Sequence, residues 1–156
     1  MYFGNIMWAI DAEGDIQNDI VAFIDWQTMR EGSPMEDLAR FLILCADGIV
    51  RRQAEEFAIQ YYFDCLITEF GNIKKVPYSM AQLEKAYKYA FIIESMKKNG
   101  LGVVPFFLGT VNDKKIDKSV KDAFRDYGIL KVLHLYEDVD KLLMNEMKDI
   151  YDQFGN

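Results

Sequence analysis

The sequence predicts a mainly helical α+β domain. Three observations lead there: two short β-branched and aromatic runs within the first 26 residues, helix-start and helix-stop signals from Ser33 onward, and no internal repeat or Pro/Gly/Ser-rich linker. At 156 residues the chain allows one domain, or one lobe of a larger one, with a core of useful size. It reads as one unit over 1–156, a hairpin over 1–27 followed by a helical body over 33–156.

Ile6-Met7-Trp8-Ala9-Ile10 and Ile20-Val21-Ala22-Phe23-Ile24 have the composition of strands. The polar segment Asp11 to Asp19, with Gly14 inside it, supplies turn residues between them. Ile20 to Ile24 is apolar at both alternations, which predicts a strand covered on both faces.

Gly32-Ser33-Pro34-Met35-Glu36 predicts a helix start, with Ser33 as N-cap, Pro34 at N1 and Glu36 completing a capping box. Asp37 follows in the first turn, where the helix dipole favours a carboxylate. Leu38, Ala39, Leu42, Ile43, Cys45 and Ala46 make this helix apolar around most of its circumference, hence central. A second helix over 49–70 carries Val50, Ala54, Phe57, Ala58, Tyr61, Tyr62, Cys65 and Leu66 at spacings of three and four, and Gly71-Asn72 ends it. Ser79-Met80-Ala81-Gln82 is a second capping box, opening a helix with Leu83, Ala86, Tyr87, Ala90 and Phe91 on one face. Lys97-Lys98-Asn99-Gly100 has the character of a C-terminus. Two more helices are expected at 117–135 and 138–154, giving five or six in all.

Composition excludes several functions. With 18 Lys+Arg against 25 Asp+Glu the net charge is −7, and no basic run exceeds two residues, so the chain lacks the basic face that phosphate backbones require; no nucleic-acid partner is expected. The longest apolar stretch, Leu101 to Val111, is too short to span a bilayer and is interrupted by Gly102, Pro105 and Gly109, so no membrane partner is expected either. No secretory signal is read at the N-terminus, and Cys45 and Cys65 read as buried free thiols in a reducing, cytoplasmic setting. His134, flanked by Leu133 and Leu135, reads as a structural or surface residue. There is no G-x-G-x-x-G or G-x-x-x-x-G-K loop, no G-x-S-x-G elbow and no C-x-x-C.

One arrangement carries chemistry. A hairpin would bring Asn5, at the start of the first strand, near Asp25, at the end of the second. An amide oxygen and a carboxylate are hard ligands suited to Mg²⁺, which takes its remaining oxygens from water and from substrate phosphates. Spacing alone leaves a turn-forming Asn and a strand-end Asp as the alternative.

The segments Gly4-Asn5-Ile6-Met7-Trp8, Ala22-Phe23-Ile24-Asp25-Trp26-Gln27 and Gly32-Ser33-Pro34-Met35-Glu36-Asp37-Leu38-Ala39-Arg40 resemble a known family. They are similar to the C-terminal lobe of the ecdysteroid-kinase-like and choline-kinase-like (CHK kinase-like) phosphotransferases, relatives of the aminoglycoside phosphotransferases. That family's pattern runs H-G-D-L-W-x-x-N-I-x-W, I-D-W/F-Q, then G-x-P-x-x-D-L-A-R. The resemblance continues through Ala46 to Arg52, Tyr61-Tyr62 and Pro105-Phe106-Phe107, and so covers most of the chain.

The resemblance implies the C-lobe of a protein-kinase-like fold and transfer of a phosphoryl group from ATP, with Mg²⁺, to a hydroxyl on a small molecule. It implies Asn5 and Asp25 as Mg²⁺ ligands, and Asp37 as a buried carboxylate that anchors the catalytic loop without touching substrate. It assigns Trp26 and Gln27 packing and loop-shaping roles. Tyr61, Tyr62, Tyr87 and Phe91 are core residues at helical spacing, or the lining of an acceptor pocket.

The departure from the pattern is large. The family's catalytic aspartate would fall one residue before Met1, and the 156 residues contain neither an H-G-D tripeptide nor the elements of a nucleotide-binding N-lobe. No catalytic residue is therefore assigned. The expectation is a catalytically incomplete fragment that binds neither Mg²⁺ nor ATP tightly alone. The alternatives are an active kinase whose N-terminal half is missing from the gene model, and a non-catalytic module that self-associates through surface left by the absent N-lobe.

Overall fold

The computed structural model describes residues 5–26, 31–97 and 116–155. Strands β1 (Ile6–Ile10) and β2 (Ile16–Phe23) form an antiparallel two-stranded sheet. Ile6 pairs with Phe23, Met7 with Ala22, Trp8 with Ile20 and Ile10 with Ile16, the register slipping on either side of Trp8. The connection is tighter than the polar run suggested. Asp11 Oδ1 accepts from the amides of Glu13 (3.1 Å) and Asp15 (2.8 Å), Oδ2 accepts from Gln17 Nε2 (2.6 Å), and Gly14 takes φ 91°. That Asx-type turn closes early, so β2 begins at Ile16 and not at Ile20.

The expectation that β2 is covered on both faces is wrong. Val21 is 66% exposed, Ile20, Phe23 and Ile24 are exposed as well, and Ala22 is half-buried. The ribbon is two strands wide, and a sheet that narrow shields little of its own surface.

Five α-helices follow among the described residues: α1 (Pro34–Cys45), α2 (Gly48–Phe70), α3 (Met80–Met96), α4 (Lys118–Met144) and α5 (Lys148–Phe154), with a 3₁₀ turn at Ile73–Lys75. Ser33 caps α1 through the Met35 amide, but Glu36 does not close a capping box; its carboxylate turns to Arg40 and Lys97. Ser79 and Gln82 do form the reciprocal box at α3. Gly71 ends α2 at φ 67°, a left-handed position that favours glycine. Lys97 is the C-cap of α3; Lys98 to Gly100, like Leu101 to Val111 with Pro105-Phe106-Phe107, lie outside the described residues.

The two helices expected at 117–135 and 138–154 divide elsewhere. Tyr136-Glu137-Asp138 contains no Gly or Pro, and Leu135, Val139 and Leu142 continue one stripe, so α4 runs unbroken to Met144 and the chain turns at Asn145–Met147.

The core lies where α1 crosses α3, with Met35, Ala39, Leu42 and Ile43 against Leu83, Tyr87, Ala90 and Phe91. Phe63 of α2 and Leu135 and Val139 of α4 close it. Full burial of a side chain such as Phe91 contributes about 1.5–3 kcal/mol. The stripe of α2 is rotated from the expected one: Arg51, Ala54, Tyr62, Phe63 and Leu66 face inward, while Val50, Phe57, Tyr61 and Cys65 are exposed. Cys65 is thus not the buried thiol expected, and Cys45 is half-buried.

Candidate functional site

Antiparallel pairing sets the first residue of the ribbon against its last. Ile24 N–H donates to Asn5 O at 2.9 Å, extending the ladder one step past β2. The chain then turns: Asp25 adopts φ 62°, among the described residues the one non-glycine position with positive φ. For most L-residues that conformation costs on the order of 1 kcal/mol, and Asp tolerates it better than most because its short polar side chain bonds locally. Here the turn delivers the carboxylate to Asn5, whose Nδ2 donates to Asp25 Oδ2 at 3.2 Å. Trp26 Nε1 donates to Phe23 O at 3.0 Å across the same turn. The hairpin therefore brings together the two residues that the sequence singled out.

These donors suit a hard cation. Asn5 offers an amide oxygen, Asp25 a carboxylate, and the site is open to solvent on the Asp25 side. Two protein oxygens fall short of a full coordination sphere, and no group of three or more His, Cys, Asp or Glu residues that could hold a metal occurs among the described residues.

Asp37 is not buried. Its side chain is 70% exposed in the first turn of α1, 3.9 Å from Arg40. Met35 and Ala39 set the inward face of this helix, and residue 37 lies about 200° round from Met35. Gln27, also part of the expected motif, lies outside the described residues.

The family model described as "Uncharacterized oxidoreductase dhs-27", DUF1679, matches residues 1–147. The chain belongs to the DUF1679 family. A Caenorhabditis elegans protein, "Uncharacterized oxidoreductase dhs-27", is 33% identical over 101 residues, covering 62% of this chain and 12% of that protein. The chain thus spans only a small part of that relative's length. No solved structure matches it.

Two polar networks in this DUF1679 chain were not foreseen. The first joins α1 to α3. Glu94, completely buried, accepts from Arg40 Nε (3.0 Å) and Nη2 (3.2 Å) and from Lys97 Nζ (2.6 Å), while Glu36 accepts from Arg40 and Lys97 on the solvent side. Burial disfavours the ionised Glu94, but its cationic partners outweigh that and hold its pKa down at about 2. The second joins α2 to α4. Arg51, 1% exposed, pairs with Glu55 (2.8 Å) and with Asp138, and its guanidinium carbon lies 4.7 Å from the Phe91 ring centre. Arg52 Nε reaches the same Asp138 oxygen at 2.8 Å, and Tyr87 donates its hydroxyl to Glu55 at 2.5 Å. Burial pushes the Asp138 carboxyl up, yet hydrogen bonds from Arg52 and Arg51 leave it below its usual range. The i,i+4 pair Arg51–Glu55 was visible in the sequence; Asp138, 87 residues away, was not.

The DUF1679 fold also decides the aromatic residues. Tyr87 and Phe91 are buried and stacked with centroids 6.3 Å apart, Tyr62 is half-buried against the same core, and Tyr61 is exposed, so these four do not line a common acceptor pocket. His134 is half-buried and touches Gly48, where an added Cβ would come within 2.2 Å of Nδ1. No described helix is long and apolar enough to cross a membrane.

Proposed function

We propose that this DUF1679 chain is the metal-holding part of a kinase-like phosphotransferase, the C-lobe of a protein-kinase-like fold, in a family that moves the γ-phosphate of ATP to a hydroxyl on a small molecule. The observation that supports the reading is the Asn5–Asp25 contact, reached from opposite ends of one hairpin with Asp25 in a left-handed turn. Backbone strain of that kind persists where surrounding structure over-determines it, often at functional sites.

The chemistry that Mg²⁺ would supply at this site is neutralisation of phosphate charge. Asn5 would supply its amide oxygen and Asp25 a carboxylate oxygen, with the hairpin ladder fixing their separation. The 156 residues hold no H-G-D tripeptide to orient an acceptor hydroxyl. With two protein oxygens to offer, the Asn5–Asp25 pair is proposed to bind Mg²⁺-ATP weakly.

The relative's printed name points to redox chemistry. The matched part is 12% of that protein, and this chain has no G-x-G-x-x-G loop for a dinucleotide, so that activity is not carried over. A second reading, self-association of a non-catalytic module, draws on the exposed Ile10, Ile16 and Val21 of the ribbon. Light scattering tests it: a mass that rises with concentration supports it, and a monomer throughout contradicts it.

Titration with Mn²⁺, followed by NMR line broadening, tests the first reading. The amides of Asn5 and Asp25 are expected to broaden first, and D25A to remove the effect. Broadening centred on the Asp11–Asp15 turn, with Asn5 untouched, would overturn it. Calorimetry with Mg²⁺-ATP should show no site tighter than about 100 μM, equivalent to about −5.5 kcal/mol.

A further inference from the structure

We propose that Trp26 is a positioning residue for the Asn5–Asp25 pair, holding Asp25 in its left-handed conformation through the indole N–H. The inference rests on the metal-holding reading of that pair and adds a residue whose polar atom that reading leaves unused.

The last ladder bond of the ribbon is Ile24 N–H to Asn5 O, and Asp25 lies just beyond it. At φ 62° the backbone reverses, which brings the Trp26 side chain back over the strand it has just left. Its Nε1–H reaches Phe23 O at 3.0 Å, closing a ring that encloses Ile24 and Asp25. Rotating residue 25 to a negative φ would carry Trp26 away from Phe23 and the Asp25 carboxylate away from Asn5 together. The two bonds, Trp26 to Phe23 and Asn5 to Asp25, thus both oppose the same rotation.

The burial of Trp26 does not explain the residue. It is 57% exposed, so its ring is not a core element. What distinguishes it from Phe or Leu at this place is the one donor atom, and that atom is spent on the strand-end carbonyl. Trp26 acts through Asp25 and does not itself offer a metal ligand.

Trp26→Phe keeps the ring and deletes the donor. In the wild-type chain the positive φ of Asp25 is expected to give a strong intraresidue HN–Hα NOE. In W26F that NOE is expected to weaken, and Mn²⁺ affinity at Asp25 to fall about three- to tenfold, the range one hydrogen bond supplies. The thermal midpoint of the helical body should not move. An unchanged NOE and unchanged Mn²⁺ affinity would overturn the proposal. Loss of the NOE in W26F with no Mn²⁺ effect at Asp25 in either protein would instead overturn the metal reading and leave the conformational role standing. If W26F unpairs the ribbon, exchange of the indole proton in the wild-type chain decides: protection supports the bond, and exchange at the rate of free indole overturns it.

Discussion

Arg40 and Glu94 meet in a paired geometry between α1 and α3, Nε to Oε2 at 3.0 Å and Nη2 to Oε1 at 3.2 Å, with the carboxylate wholly removed from solvent. Such a pair adds little net stability over apolar residues of the same shape, but losing one partner strands a charge. Arg40→Ala is therefore expected to cost about 3 kcal/mol in urea unfolding, somewhat relieved by Lys97.

The same pair sets an acid limit. The folded pKa of Glu94 is held down at about 2, below the ordinary carboxyl value of 4.5. Its contribution is complete above the unfolded value and drains away as pH falls from about 4.5 toward 2. The unfolding midpoint of the wild-type chain should drop steeply across that window, and Glu94→Gln should flatten the drop. Equal slopes for the two proteins would contradict the assignment.

Arg51 and Arg52 are adjacent and share Asp138, yet they should differ in weight. Arg51 is buried between Glu55, Asp138 and the Phe91 ring, whereas Arg52 is more than a third exposed. R51A is expected to destabilise by about 3–5 kcal/mol and R52A by no more than about 1 kcal/mol. Chemical denaturation of both variants checks the order.

Gly48 opens α2 against His134. Gly48→Ala would set its methyl 2.2 Å from Nδ1 and 2.5 Å from the ring's Cγ, so the imidazole must shift. A loss of about 1–3 kcal/mol is expected, as for other overpacked sites. His134→Ala should return part of it in the double variant, and strict additivity would show that the contact is not what limits this position.

Local chemistry in the sequence located most of the elements, because caps and turns are short-range. Ser79 and Gln82 exchange their two bonds as the spacing implies, and Gly71 takes the left-handed φ that ends α2. The Asn5–Asp25 contact was legible for a similar reason: a hairpin converts strand ends into neighbours. What escaped was decided at longer range. Gln17 joins β2 because Asp11 draws its amide in, and Arg51 turns inward because Asp138 waits on a helix far along the chain. Asp37 was read from a motif, whereas the phase of α1, set by Met35 and Ala39, faces it outward.

The central claim, that Asn5 and Asp25 hold a divalent cation, is tested most directly by a crystal of this chain soaked in Mn²⁺ and measured at the metal's absorption edge. The account predicts an anomalous peak within metal–oxygen bonding distance of both side chains, absent from D25A. A peak at the Asp11–Asp15 turn, or none near Asp25, would contradict it.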